Sequence, residues 1–308
     1  MIDFEFQPFK FDGICQTVAL TLCPLIGTFD GIEPLCYSRN VEAAGILIFQ
    51  PATLIMNIIA MCMTGIMIYH VKTKYTAVGR KEIAMFFQLY LVSTFLEMLL
   101  VTNIIPTASK LYPYFTAVHL GLISALLWCL LINGFVGFQF AEDGTPVSLW
   151  FMRLSTLGVF VVVGFLAIAT FLNIGPFTYT RPTELWVIYF ILNGTMLLVY
   201  TVSQVFLVAY TLDDRWPLGD IAFGVLFYLT GLITVYIFSV TICDQMKHYL
   251  DGLFFGTMFN LLSVMMIYKY WDSITKEDLE YSIDQRITTW ELEALLKDEE
   301  RYKVQPQY

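Results

Sequence analysis

Charge is what this sequence has least of. Asp, Glu, Lys and Arg make up only 14% of its 308 residues, where a soluble domain carries about a quarter. That shortage excludes an ordinary water-facing surface. Basic residues are scarcer still, 17 against 26 acidic ones, and the net charge is -9. With no basic face to meet phosphate, nucleic acid is excluded as a partner. A secretory signal peptide is also missing. Ahead of Ile14 stand Asp3, Glu5 and Asp12 against Lys10 alone, where a signal needs a basic start. The run from Ile14 to Ile26 is short and broken by Gln16 and Pro24, so the first long apolar run is expected to direct insertion itself. The end, VQPQY, carries no lipidation or lumenal retention signal.

Catalytic signatures are lacking too. There is no HExxH, no G-x-S-x-G elbow and no Walker-type phosphate loop. Three histidines, His70, His119 and His248, invite a zinc-hydrolase reading. Their positions along the apolar runs place them at opposite ends of a bundle about 30 Å thick, whereas zinc ligands must all lie about 2 Å from one ion. No metal, cofactor or catalytic residue is expected. No internal repeat of the inverted-transporter kind is visible. The marks of a G-protein-coupled receptor are not reproduced by Asp213–Trp216 or Asn260–Tyr268.

What the chain has is apolar length. Hydrophobic residues reach 57% and mean hydropathy is +0.67. Seven runs match the roughly 20 helical residues that a bilayer core demands. They cover about Ile46–His70, Ile83–Ile105, Tyr114–Phe138, Leu149–Leu172, Leu185–Thr211, Leu218–Cys243 and Tyr249–Tyr268. The expected fold is all-α, a polytopic membrane protein of seven transmembrane helices. Residues 1–45 form an N-terminal segment, 46–268 the bundle and 269–308 a tail.

Lys72, Lys74, Arg80 and Lys81 cluster between the first two runs. Short loops rich in Lys and Arg stay cytosolic, and alternation then fixes every other loop. Twelve Lys and Arg fall on that side and five on the other. The N-terminus is accordingly read as lumenal and the C-terminus as cytosolic.

This topology sorts the cysteines. Cys15, Cys23, Cys36 and Cys243 fall in or near the oxidising compartment, where they allow two disulfides in three possible pairings and at least one is expected; free thiols are the alternative. Cys62 and Cys129 lie inside spans. The one sequon, Asn193-Gly194-Thr195, sits mid-span, out of reach of glycosylation.

Embedded polar residues are the natural functional candidates. Glu97 lies deep in the second span, where a carboxylate is costly. Asn57, Gln88, His119, Asn133, Asn193, Gln204 and Asn260 are also embedded, and hydrogen bonding between helices accounts for most such amides. Two capping boxes, Thr275-x-x-Asp278 and Thr288-x-x-Glu291, open short helices in the tail. The second helix, with Trp290, Leu292, Leu295 and Leu296, suits a partner, the membrane surface or plain solvation.

Six strings go further than composition. They are CYSRNVE at Cys36–Glu42, KYTAVGR at Lys74–Arg80, WCLLINGFVGFQ at Trp128–Gln139, WPLG at Trp216–Gly219, KHYLDGLFF at Lys247–Phe255 and YKYWDSITKEDLE at Tyr268–Glu280. In order and content they resemble the fungal chitin synthase export chaperone family, from about Ile14 to Glu280. The resemblance implies a non-enzymatic endoplasmic reticulum membrane protein that a chitin synthase, a polytopic glycosyltransferase of cell-wall synthesis, needs in order to leave that compartment. Membrane lipid surrounds it, and the plasma membrane becomes a second location if it travels with its client as a subunit. Candidate client contacts are Glu97 and Asn133 in the membrane and Tyr268, Trp271 and Asp272 at the tail. The alternative is a seven-helix receptor or small-molecule transporter, which requires a ligand-sized cavity lined by residues such as Glu97, His119 and Asn193.

Overall fold

The structure, a computed structural model, describes residues 10–27, 31–43, 46–74, 77, 79–136, 145–211 and 215–275. The Thr288–Glu291 capping box and its amphipathic helix lie outside them, as does Asp278 of the first box.

Seven described helices are long and apolar enough to cross a membrane. They are α2 (Pro51–Thr73), α3 (Arg80–Val101), α4 (Tyr112–Val136), α5 (Pro146–Phe171), α6 (Thr183–Thr211), α7 (Pro217–Tyr236) and α9 (Gly252–Thr275). Two short helices lie outside this set, α1 (Asp12–Thr17) and α8 (Ser239–Gln245). Even α7, with 20 residues, is about 30 Å long, enough for a hydrocarbon core.

Local chemistry sets the helix starts. Pro51, Pro146 and Pro217 stand in the first turns of α2, α5 and α7, where a missing N–H costs nothing and φ is already helical. Thr145 caps α5 by accepting from the Ser148 N–H at 3.3 Å. Asp251 does the same for α9, accepting from the Phe254 N–H at 3.1 Å. Within α6, residues Val187–Leu192 form a π-helical stretch just ahead of Asn193; such wide turns inside α-helices re-aim the side chains that follow.

Three spans depart most from the sequence expectation. The first span starts at Pro51, not Ile46, because β1 (Val41–Ala43) and β2 (Ile46–Ile48) pair antiparallel, Val41 opposite Ile48. The sixth stops at Tyr236, not Cys243; α8 then carries Cys243 to its disulfide partner. The last begins at Gly252, after a turn in which Lys247 and His248 adopt positive φ (53° and 64°), and continues to Thr275.

One end of the bundle is capped. Residues 10–27 and 31–39 lie across it, joined to other parts of the chain by backbone hydrogen bonds such as Gly27 N–H to Tyr179 O and Arg39 N–H to His248 O. The Tyr112 hydroxyl at the start of α4 donates to Thr21 O at 2.9 Å. Phe11, Cys15, Leu22 and Cys23 pack there with Leu120, Ala167, Phe171 and Trp186 in one buried cluster. At the opposite end, where α2 ends beside Lys72 and α3 begins at Arg80, a second cluster joins Phe86, Phe87, Cys129, Met152, Val264 and Trp271. Glycines bring helices close: a Cβ on Gly121 of α4 would stand 2.9 Å from Phe160 O of α5, and one on Gly231 of α7 would stand 3.1 Å from Phe259 of α9. Small residues at such crossings allow the close van der Waals contact that drives association in lipid.

Candidate functional site

The four cysteines assigned to one side of the membrane pair as Cys15–Cys23 and Cys36–Cys243, with Cα separations of 5.6 and 6.1 Å. Both bridges belong to the capped end. The second spans 207 residues of sequence and ties the N-terminal segment to α8. His248 sits beside it, Nδ1 being 3.2 Å from Cys36 Sγ, 3.6 Å from Cys243 Sγ and 3.3 Å from Tyr37 O. The same turn places Tyr249 under the Arg39 guanidinium, 5.4 Å from ring centre to Cζ. Two sulfurs and an imidazole converge as metal ligands do, but both sulfurs are spent in the disulfide. Of the other histidines, His119 lies inside the bundle and His70 is exposed at the far end, so the three do not meet.

Close to this latch, Asp251 is 3% exposed. Burial raises its carboxyl above the usual carboxylate range, partly opposed by the backbone N–H bonds it accepts, chiefly from Phe254.

At the opposite end, Asp272 of α9 pairs with Lys74 from the basic loop. The Lys74 ammonium also lies 5.7 Å over the Trp271 ring. Trp271 is buried at 6% exposure, and Tyr268 packs against Phe87 and Trp271. These three residues, singled out as tail signals, therefore sit in the last two turns of a spanning helix and hold the basic loop against it. Beside them Lys269 reaches Asp220 at 3.1 Å, an acidic residue whose sequence position at a span end gave no hint of its burial.

The embedded amides divide into satisfied and unsatisfied. Gln204 donates from Nε2 to Gly134 O at 3.1 Å and accepts at Oε1 from the Tyr270 hydroxyl at 3.0 Å, linking α6, α4 and α9. Asn193 accepts from the Ser124 hydroxyl at 2.9 Å. Asn133, half-buried on α4, leaves its Nδ2 without a partner among the described residues. Asn57 is fully buried with neither amide atom paired. Gln88 and Asn260 are exposed.

Glu97 and His119 face one cavity of 240 Å³ beneath the cap. Glu97 has no hydrogen-bond or ion-pair partner among the described residues, and the His119 Nε2 is buried and unpaired. Its Nδ1 stands 3.5 Å from the Thr21 hydroxyl. Asn193 lines a second cavity of 570 Å³ between α4, α6, α7 and α9. Glu97 and His119 thus come together, while Asn133, Tyr268, Trp271 and Asp272 line neither cavity.

A family described as "Chitin synthase export chaperone" matches residues 7–285. A relative of that name from Chaetomium globosum is 52% identical over 94% of this chain and 90% of its own. Others come from Neurospora crassa, 51% identical over 93% of this chain and 82% of its own, and Cryptococcus neoformans, 50% identical over 92% and 79%. No solved structure matches.

Proposed function

The chain belongs to the chitin synthase export chaperone family, and we propose that it is a non-enzymatic membrane chaperone that a chitin synthase requires to leave the endoplasmic reticulum. The observation that carries this reading is the match over residues 7–285 together with relatives of that name at about half identity. Seven apolar helices agree with a membrane protein of the secretory pathway. The proposed topology puts the disulfide-bearing cap in the lumen, where thiols oxidise, and the basic loop in the cytosol.

The physical task follows from the client. A polytopic synthase that still has unpaired polar groups in its spans is unstable in hydrocarbon, which offers no partner for them. Asn133 supports a covering role, because its Nδ2 is unpaired among the described residues and an amide can bond across a helix–helix contact. Glu97, Tyr268, Trp271 and Asp272 remain proposed contributors at two levels. Glu97 faces a cavity, and the other three hold the helix end from which the tail departs. Changes at Trp271 act first on this chain's own packing.

Affinity purification of this chain from mild-detergent membranes tests the reading. A chitin synthase is expected to co-purify while unrelated polytopic cargo does not, and Asn133→Leu is expected to lower the recovered synthase several-fold at equal abundance of this chain. Wild-type protein that recovers no chitin synthase before or after cross-linking contradicts it.

A further inference from the structure

The two cavities adjoin. Tyr189, Tyr228, Leu232 and Tyr236 border both the 240 Å³ chamber and the 570 Å³ crevice. Their chemistry differs along the length. The chamber gathers Glu97, His119, Asn260 and the hydroxyl-bearing Tyr90 and Thr94. The crevice is mostly aliphatic and aromatic, and its lip includes Leu198 and Leu229, both exposed on the outside of the bundle. A polar pocket continuing into an apolar one is the complement of a molecule with a small polar head and an apolar chain; the 570 Å³ crevice has the volume of a small-ligand pocket, and the 240 Å³ chamber beside it has room for a head group only.

Charge decides which head. Two carboxylates border the cavities, Asp220 in the crevice and Glu97 in the chamber. Asp220 is answered by Lys269 at 3.1 Å; Glu97 has no ion-pair or hydrogen-bond partner among the described residues, and the His119 Nε2 beside the same space is also unpaired and buried. A phosphate or carboxylate head would add like charge next to Glu97, whereas an ammonium would answer it. Size excludes the other apolar occupant. A spanning helix is about 30 Å long and about 10 Å across, several times larger than a crevice of 570 Å³.

We propose that this pair of cavities binds a single-chain amphiphile with a protonated amine, of the long-chain amino-alcohol class. Its ammonium lies against Glu97, its hydroxyl meets the His119 Nε2, and its chain fills the crevice between α6 and α7. The site assigns Glu97 to the chamber in place of a client contact, leaves the rest of the chaperone reading untouched, and stands or falls on binding alone.

Sphingosine is the probe, octadecanol the amine-free control, and the full chain in phosphatidylcholine nanodiscs the sample. Sphingosine is expected to raise the thermal midpoint and octadecanol to do so far less. Glu97→Gln is expected to weaken sphingosine about tenfold or more, as loss of one charge-assisted contact does. A second variant guards against misfolding. Gly194 lines the crevice and a Cβ there would meet nothing within 4 Å, so Gly194→Leu starts from open space at the crevice wall; it is expected to stay folded, narrow the crevice and lose the sphingosine shift. Native mass spectrometry of the wild type is expected to show a one-to-one sphingosine adduct. Equal stabilisation by octadecanol, unchanged affinity in Glu97→Gln, or adducts of phosphatidylcholine alone would each overturn the proposal. So would a photocross-link from position 194 to a client helix, which would make the crevice a protein contact.

Discussion

Helices α4 and α7 lie in the same bundle and are packed very differently. In the most apolar stretch of α4 half of the residues are buried, against 17% in α7. Both are apolar all round, so composition does not separate them. Their neighbours do. Helix α4 runs between α3 and α5 and contributes Cys129 and Leu130 to one core cluster and Ala117 and Leu120 to the other. Helix α7 touches α9 through Gly224 and Gly231, and its last turn packs Val235 and Tyr236 against the cap and α6, but most of its length faces the 570 Å³ crevice on one side and the surroundings on the other. Stability is therefore concentrated in the α3–α5 side and the cap, while space for other molecules lies beside α6 and α7.

The cap offers the most forceful way to break this contrast. Cys243→Ser opens a bridge across 207 residues, for which loop entropy puts the loss at about 5 kcal/mol. The Cys36→Ser and Cys243→Ser double variant is expected to lose no more than either single one. Cys62→Ser, at an exposed free thiol, is expected to change nothing. Denaturant unfolding of the detergent-solubilised protein reads all three.

A paired truncation sharpens the comparison. Met152, 1% exposed within the α3–α5 core, is expected to cost about 2–5 kcal/mol as Met152→Ala. Leu226 of α7 is 53% exposed, and Leu226→Ala is expected to stay within about 0.5 kcal/mol of the wild type. Equal losses would mean that α7 is packed as firmly as α5.

A smaller loss than at Met152 belongs to the turn that leads into α9. Asp251→Ala removes a helix cap and is expected to cost about 1 kcal/mol. Because burial raises the Asp251 carboxyl in the folded chain, the folded state holds its proton to higher pH than the unfolded one. Its contribution to stability is present below the ordinary carboxylate range and falls as pH climbs through the raised value. Asp251→Asn keeps the cap and is expected to flatten that slope in thermal unfolding at stepped pH.

Much of this architecture is legible in the sequence because lipid imposes a simple demand. A run of about 20 apolar residues has few fates other than a spanning helix. The ends are less legible. Ile46, Leu47 and Ile48 suit a strand as well as a helix, and only pairing with Val41–Ala43 decides between them. The latch is invisible for a related reason: His248 meets the disulfide through positive φ at two non-glycine residues, a conformation no local signal announces. Glu97 stands out in the sequence by its depth. Its cavity does not, because cavities arise where helices from distant parts of the chain part company. The pairing of Lys74 with Asp272, 198 residues apart, is hidden in the same way and turns an apparent tail motif into part of the bundle.

The measurement that bears most directly on the account is the fraction of each tagged chitin synthase at the surface of fungal cells lacking this chain. The account predicts that one synthase accumulates in the endoplasmic reticulum while other polytopic cargo travels normally, and that restoring the chain releases it. Normal surface delivery of every chitin synthase, with normal wall chitin, would contradict it.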